Sequence, residues 1–157
     1  MGEQESLYAL IPEGKTVVAK LTSLIASSKN DVFWIDTLKK ISHDTSLLFA
    51  EIKNAIHNRM KFRVIIEDFK PEETQHKQIQ HTLNIKSAII RFHHQPLNRF
   101  VVSDGREAMI STNRRNTSEN TSALWTTDTN LIGVLRGYFE TAWSESVDLK
   151  VPLEAKF

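Results

Sequence analysis

The stretch "LNRFVVSDGREAMISTN", residues 97–113, decides the fold because it predicts a β-hairpin. Its two apolar arms, "NRFVVS" and "REAMIS", are typical of strands. Between them, Asp104 and Gly105 form a dipeptide that is a strong signal for a two-residue turn. The chain therefore carries a pair of adjacent strands that no helix separates.

The predicted turn also fixes which residues of the hairpin face each other. With Asp104 in the turn, Asn98 faces Ser111 and Leu97 faces Thr112. At about 3.3 Å per residue, this polar end lies about 20 Å along the strand from Asp104. The hairpin thus has a turn at one end and a cluster of polar side chains at the other.

Before the hairpin, helices and strands alternate. Apolar residues at helical spacing predict one helix in "KTVVAKLTSLIASS" and another in "DTSLLFAEIKNAIHNRM". Short apolar runs at 31–35 and 62–66 predict strands, and the helix between them indicates a βαβ unit with parallel strands. A further helix with few apolar residues is predicted at 71–83.

The remaining segments complete an α/β domain. Strands are predicted in "KSAIIRFH" and "SALWT", and an amphipathic helix at 127–146 can be capped by Thr127, Asp128 or Thr129. We predict a mixed, mostly parallel sheet flanked by helices on both faces. The first hairpin strand runs antiparallel to the earlier strands, so it begins near their C-terminal ends. Open α/β sheets usually place their ligands there.

Composition limits the classes of function. The 157 residues carry 20 Lys and Arg against 19 Asp and Glu, so no global charge favours nucleic acid or a membrane surface. The absence of cysteine excludes disulfides and thiol chemistry. The chain has no apolar run of membrane-spanning length and no signal peptide pattern, which predicts a cytoplasmic protein without membrane contact. We expect a lead-in at 1–13, a single domain at 14–147 and a tail at 148–157.

The histidines and arginines are the candidate residues for metal and anion sites. The six histidines include no pair at i, i+4, and adjacent His93 and His94 are expected on opposite faces of a strand. No metal site and no cofactor are therefore predicted. Arg114 and Arg115 lie in a polar loop, where they can bind a phosphate or carboxylate or can simply be solvated.

The order of elements and the hairpin resemble one half of the phospholipase D-like fold, whose signature is H-x-K-x4-D-x6-G-S-x-N. An ungapped alignment puts the signature's first five residues, in order, at Leu97, Arg99, Asp104, Ser111 and Thr112. The signature Asn falls on Arg114, one place after Asn113. The match is incomplete, because Leu97 stands where the histidine belongs.

The chain as a whole more closely resembles the C-terminal sensor region of archaeal TrmB-type transcriptional regulators. Three segments carry this resemblance: "PEGKTVVAKLTSLIASSKNDVFWI", the hairpin itself and "SALWTTDTNLIGVLRGYFETAW". In that group an "ALWT" segment precedes the last helix and the catalytic histidine is commonly lost. The resemblance covers most of residues 10–146.

The residue at position 97 bears on the question of catalysis. The active family is understood to use its histidine as a covalent nucleophile, and a leucine side chain can neither attack phosphorus nor carry a proton. His93 or His94 can replace it only through a shifted register that displaces Arg99 and Asp104 from their matches. We therefore predict no enzyme and no catalytic residue.

The resemblance implies a non-catalytic, ligand-sensing domain. It implies a homodimer paired across the motif end of the sheet, a small polar or anionic ligand, and DNA contact only through an appended winged helix, which residues 1–14 are too short to form. The alternative is a dimeric phosphodiesterase or nuclease with one half-site per chain. A third possibility is a plain protein-interaction domain. The predicted ligand-binding residues are Asn98, Arg99, Ser111, Thr112, Asn113, Arg114 and Arg115.

A competing interpretation assigns Arg99 a purely structural role. Asp36, Glu67 and Asp68 are expected at the ends of the neighbouring strands, where any of them can form a buried ion pair with Arg99. The site then needs no ligand.

Overall fold

The computed structural model describes residues 7–12, 14–57, 60–69, 88–112 and 122–148. In chain order its elements are β1 (Tyr8–Ile11), α1 (Lys15–Ala26), β2 (Asp31–Asp36), α2 (Leu38–Leu47), α3 (Phe49–His57), β3 (Lys61–Ile66), β4 (Ala88–Phe92), β5 (Phe100–Ser103), β6 (Glu107–Ser111), β7 (Ala123–Thr126) and α4 (Thr129–Glu145). The predicted helix at 71–83 and the Asn113–Arg115 segment lie outside these ranges.

The described strands form one seven-stranded sheet in the order β1-β7-β6-β5-β2-β3-β4. The β2-β3 and β3-β4 pairs are parallel, which confirms the predicted βαβ unit. The other four pairs are antiparallel, so the prediction of a mostly parallel sheet is wrong. The reason lies in the connections: β5, β6 and β7 follow one another without the long crossover that a parallel neighbour requires.

The hairpin has a different register from the one predicted. Ser103 pairs with Glu107 rather than with Arg106, because Arg106 adds a third residue to the turn. Asp104 and Gly105 both adopt positive φ angles, 55° and 67°, as the turn signal implied. A shift of one residue in the pairing moves the side chains of one strand to the opposite face relative to the other strand. The observed register therefore determines which side chains meet at the far end of the hairpin.

Two further elements differ from the sequence pattern. β1 was not predicted as a strand, yet it pairs along its length with β7. The single helix predicted from Asp44 onward is two helices, and the first of them starts earlier, at Leu38, with Thr37 as its N-cap. Leu38 and Ile41 are buried, but the polar residues between them hide that face from a periodicity search.

The core lies on both faces of the sheet. One cluster joins α1, α2 and α3 to one face through residues such as Leu24, Ile41 and Ile52. The other joins α4 to the opposite face, where Phe139 packs against Phe33. Helices therefore cover both faces, as predicted. Across the described ranges, none of the helices has the length and apolar character needed to cross a membrane.

Asp104 ties the hairpin turn to the start of β2. Its carboxylate accepts hydrogen bonds from the backbone N–H groups of Lys29, Asn30 and Asp31 at 2.8–2.9 Å. Its own N–H donates to the carbonyl of Asp31 at 2.8 Å. Partial burial favours the uncharged form of this carboxyl and so raises its pKa. The three hydrogen-bond donors have the larger combined effect and hold the pKa below its ordinary value. The side chain at the aspartate position of the motif thus fixes the register of β5 on β2.

We expect Asp104→Gly to lower the free energy of unfolding by about 2 kcal/mol or more, because three backbone donors lose their acceptor. Glycine tolerates the positive φ angle, so backbone strain does not contribute. Asp104→Asn is the matched control: its amide oxygen can still accept from Asn30 and Asp31, and it should lose less. Urea unfolding of the three proteins measures the difference, and a glycine variant as stable as the wild type would contradict this role.

Candidate functional site

The polar end of the hairpin opens onto a cavity of about 60 Å³. It lies where β2 and β6 end and where β5 begins, on the face of the sheet that α1 and α2 cover. Its apolar wall includes Trp34, Val101 and Met109 from the sheet, with Val17 and Leu21 from α1. The polar lining residues are Asp36, Thr37, Lys40, Asp44, Arg99, Ser111 and Ser122.

Arg99 and Ser111 face each other across the hairpin. The Ser111 N–H donates to the carbonyl of Arg99 at 3.0 Å, one step beyond the Phe100-Ile110 pair. Both side chains line the cavity because the three-residue turn places them on one face of the sheet. The register that the sequence predicted would have paired Ser111 with Asn98 instead.

The hydroxyl of Ser111 is buried, and no group in the described part of the chain forms a hydrogen bond with it. Buried polar atoms in folded proteins nearly always have a partner, and an exception calls for a water, an ion or a ligand. Because Ser111 lines the cavity, any such partner has room there.

Asp36 ends β2 at the same cavity and is almost fully buried. One carboxylate oxygen accepts from the Thr37 N–H at 2.8 Å, and within the described ranges the other oxygen has no hydrogen bond. Burial raises the pKa of Asp36 to about 6, although Lys40, the Thr37 N–H and Arg99 act in the opposite direction. Its proton therefore leaves close to neutral pH rather than at the usual acidic value.

The first turns of α2 supply the other charged pair. Thr37 caps the helix by accepting from the Lys40 N–H at 3.2 Å, which directs α2 across the end of β2. Lys40 then pairs with the buried carboxylate of Asp44 one turn later. The cation that α2 contributes is thereby matched by a carboxylate of the same helix.

Glu67 holds the segment that precedes β5. One of its oxygens accepts from the Leu97 N–H at 2.8 Å, and the other lies 3.7 Å from Nε of Arg99. The carboxyl is buried, which raises its pKa, while the Leu97 N–H and Arg99 oppose that shift. This geometry includes the ion pair that the competing interpretation of Arg99 requires.

Leu97 itself has a packing role. Its side chain is partly buried against the cluster that contains Phe33 and Phe139, on the opposite face of the sheet from the cavity. At the position of the motif histidine the chain therefore has an apolar contact with the core.

The other predicted site residues are distributed differently. Asn98 is exposed, and its N–H donates to the Tyr138 hydroxyl at 2.9 Å. Thr112 is also exposed and bonds to Ser122 through its hydroxyl, at 2.6 Å between the two oxygen atoms. Of the predicted set, the cavity brings together Arg99 and Ser111. The residues Asn113, Arg114 and Arg115 lie outside the described ranges.

Sequence analysis did not assign Trp34, Lys40 or Asp44 to the site, and it considered Asp36 only as a counter-ion for Arg99. Asp36 had a usable signal, since it follows the apolar run of β2 at the carboxyl end of a strand in a parallel pair. Lys40 and Asp44 had none, because their helix was not predicted to begin before Asp44.

The histidines lie away from this cavity. His93 is buried, with Nε2 at 3.4 Å from a carboxylate oxygen of Glu145, and it does not line the cavity. The rings of His93 and His94 stack at 5.3 Å, so the expectation that they point to opposite faces is wrong. Both histidines follow the last residue of β4, so the alternation of side chains between the two faces of that strand does not apply to them. No cluster of metal-ligating side chains occurs among the residues described.

Comparison with known proteins identifies the family and the fold. The family model "Transcriptional regulator TrmB, EBD N-terminal subdomain" matches residues 9–150. None of the curated proteins matches the chain in sequence. Among solved structures, TrmBL2, an archaeal chromatin protein, superposes with a TM-score of 0.61 at 11% identity, over 90% of this chain and 53% of its own. The chain thus spans about half the length of that protein.

Two proteins of similar size share the fold. NucT from Helicobacter pylori superposes with a TM-score of 0.71 at 13% identity, covering 89% of this chain and 97% of its own. Nuc from Salmonella typhimurium, a phospholipase D family member, gives 0.63 at 13% identity, covering 90% and 95%. These likenesses confirm the phospholipase D-like fold.

We expect the stability of the domain to depend on pH through Asp36. The folded chain binds this proton more tightly than the unfolded chain, so the stabilisation is complete below about pH 4 and is lost as the pH rises through about 6. A shift of about two pKa units corresponds to about 3 kcal/mol.

Asp36→Asn removes this titration while keeping an acceptor for the Thr37 N–H. The free energy of unfolding of the variant minus that of the wild type should therefore rise by up to about 3 kcal/mol between pH 4 and pH 8. Urea unfolding of both proteins across this range measures the difference, in which the other titrating groups cancel. A difference independent of pH would show that Asp36 has an ordinary pKa.

Proposed function

Since this chain belongs to the TrmB transcriptional-regulator family, in its EBD N-terminal subdomain, we propose that it is a non-catalytic effector-binding domain with a degenerate phospholipase D-like site. The observation that carries the proposal is the cavity at the polar end of the hairpin. Its lining includes Arg99, the buried carboxyl of Asp36 and the hydroxyl of Ser111, which has no hydrogen-bond partner among the described residues. A domain with only a structural role has no need to gather these groups.

The proposed ligand is small and polar or anionic. Arg99 and Ser111 are the proposed inner contacts, because both line the cavity. Asn98 and Thr112 are exposed, and we include them in the proposed site as contacts for a ligand that extends out of the cavity. We include the segment 113–115 in the proposed site on the basis of its sequence alone, since its two arginines suit an anion.

DNA contact is proposed to require another part of a longer protein. TrmBL2 is described as a chromatin protein with a novel mode of DNA binding, and the present chain matches about half of it. In our proposal an appended winged helix reads DNA, and ligand binding in this domain modulates that contact. An archaeal source and a cytoplasmic location are part of the same proposal.

We also propose that the domain forms a homodimer across the motif end of its sheet. In support, NucT and Nuc consist almost entirely of the region that matches this chain, and the chain resembles only one half of the phospholipase D-like fold. A second copy would enclose the open side of the cavity. Light scattering that gives a strict monomer at high micromolar concentration would contradict the dimer.

The second candidate function is a phosphodiesterase with one half-site per chain. The observation in its favour is the fold shared with Nuc, a phospholipase D family member. Against it, Leu97 packs into the core where that chemistry needs a nucleophile, and His93 is buried outside the cavity.

We expect the purified chain not to hydrolyse bis(p-nitrophenyl) phosphate above background, because leucine offers neither a nucleophile nor a proton. A spectrophotometric assay of p-nitrophenol release measures this. Turnover that disappears in a His93→Gln or His94→Gln variant would replace the sensor proposal by the enzymatic one.

The effector-binding role is tested with Arg99→Met. The effector is first identified from a panel of small polar and anionic metabolites by its shift of the melting temperature. Loss of one charged hydrogen bond should then weaken binding by about 1.5–3 kcal/mol, measured by calorimetry. Arg106→Met is the matched control, because Arg106 is an exposed arginine in the turn at the far end of the hairpin.

The competing role for Arg99 predicts a different result. If Arg99 only balances Glu67, the variant melts at a lower temperature but binds the effector with wild-type affinity at temperatures where it is folded. An effector that binds Arg99→Met normally, or that contacts other residues in a bound structure, would refute the proposed site.

A further inference from the structure

The charges around the cavity are not those of a phosphate site. Lys40 pairs with Asp44, and Arg99 lies against Glu67. Each of the two cations that line the cavity is therefore already matched by a carboxylate. Asp36 is the remaining charged group of the lining, and it is an acid. Lys40 and Arg99 also attract the Asp36 carboxylate, so two cations face three carboxylates and an incoming anion would add to an excess of negative charge.

Asp36 has unused capacity to accept hydrogen bonds. Within the described ranges only one of its oxygens is bonded, to the Thr37 N–H. Ser111 presents a second oxygen to the same cavity, also without a partner there. Two free acceptors around one small space suit a group that carries several donors, and an ammonium carries three.

The size and the wall of the cavity agree with such a group. A cavity of about 60 Å³ has room for a small polar group such as an aminomethyl head. The indole of Trp34 is buried and forms part of the wall. An aromatic surface attracts a cation, and the attraction strengthens when water is excluded.

We infer that the cavity recognises the primary ammonium group of a ligand, with Asp36 as its counter-ion and Ser111 as a second hydrogen-bond acceptor. This inference rests on the proposed effector-binding function and narrows the class of effector. Arg99 lines the same cavity and then contacts another part of the ligand.

Recognition by Asp36 makes binding depend on pH. The charged groups that face this carboxyl are Lys40 and Asp44 from α2 and Arg99 from the start of β5, with Glu67 behind Arg99. From α1 the cavity receives apolar side chains, Val17 and Leu21. The ammonium binds the ionised form of Asp36, so affinity should fall by about tenfold between pH 7 and pH 5.

The experiment compares probes of one shape and different charge. Ethylammonium, ethanol and acetate, together with inorganic phosphate, are titrated into the ¹⁵N-labelled chain at constant ionic strength and pH 7. Chemical-shift changes of Asp36, Ser111 and the Trp34 indole report binding. Ethylammonium should give saturable shifts at all three positions, and acetate and phosphate should not.

Variants assign the contact. Asp36→Asn should weaken ethylammonium binding by at least tenfold and abolish its pH dependence, whereas Ser111→Ala should weaken it by a smaller factor. Asp31→Asn is the matched control, because it makes the same chemical change at the other end of β2 and should leave binding unchanged. Spectra of each variant without probe confirm that it is folded.

The outcomes separate this inference from the proposed function. If acetate or phosphate shifts these resonances and ethylammonium does not, the ammonium inference is overturned and an effector-binding site for anions remains. If none of the probes binds, or if Asp36→Asn binds ethylammonium like the wild type, the inference is also overturned. The effector-binding function is then judged separately, by the metabolite panel and Arg99→Met.

Discussion

The hydrogen bonds between Asp104 and the start of β2 fix the position of the hairpin on the sheet, and with it the position of the residues at the other end of the hairpin. Three backbone donors converge on one carboxylate, and they anchor the turn to the loop that precedes β2. β5 cannot slide along β2 without breaking these bonds. Because strand registers propagate, this anchor also determines that Arg99 faces Ser111 and that both lie beside Asp36. Asp104, which lies far from the cavity, thus determines which side chains of the hairpin line it.

The same stretch of chain gives structural roles to two positions of the motif. Asp104, at the aspartate position, anchors the hairpin turn through three backbone hydrogen bonds. Leu97 stands at the histidine position, with its N–H bonded to Glu67 and its side chain in the core. Glu67 also matches the charge of Arg99, at 3.7 Å. Because Lys40 is likewise paired with Asp44, the described lining of the cavity has no excess of the positive charge that stabilises a bound phosphate.

Much of this arrangement could be predicted from sequence, and the errors have identifiable causes. Apolar runs and the Asp104-Gly105 turn located most strands, because they report local preferences. Arg99 and Ser111, which were predicted to bind a ligand, both line the cavity, but their predicted cross-strand neighbours were wrong because the extra turn residue Arg106 shifts the register. β1 was missed because its role depends on pairing with β7, more than a hundred residues later. Asp44 was missed as a site residue because a polar sequence concealed the start of α2.

The cavity also contains groups that lower the stability of the domain. The Ser111 hydroxyl is buried without a hydrogen bond in the described chain, and burial disfavours the charged form of the Asp36 carboxyl. Each of these features destabilises the folded state. Among the fully buried side-chain polar atoms of the described residues, the Ser111 hydroxyl is the one without a hydrogen-bond partner. Local departures from consistent packing and hydrogen bonding concentrate at functional sites. Asp36 and Ser111 lie in one cavity, so a single bound group can satisfy both, and the free energy recovered there is available to bind a ligand.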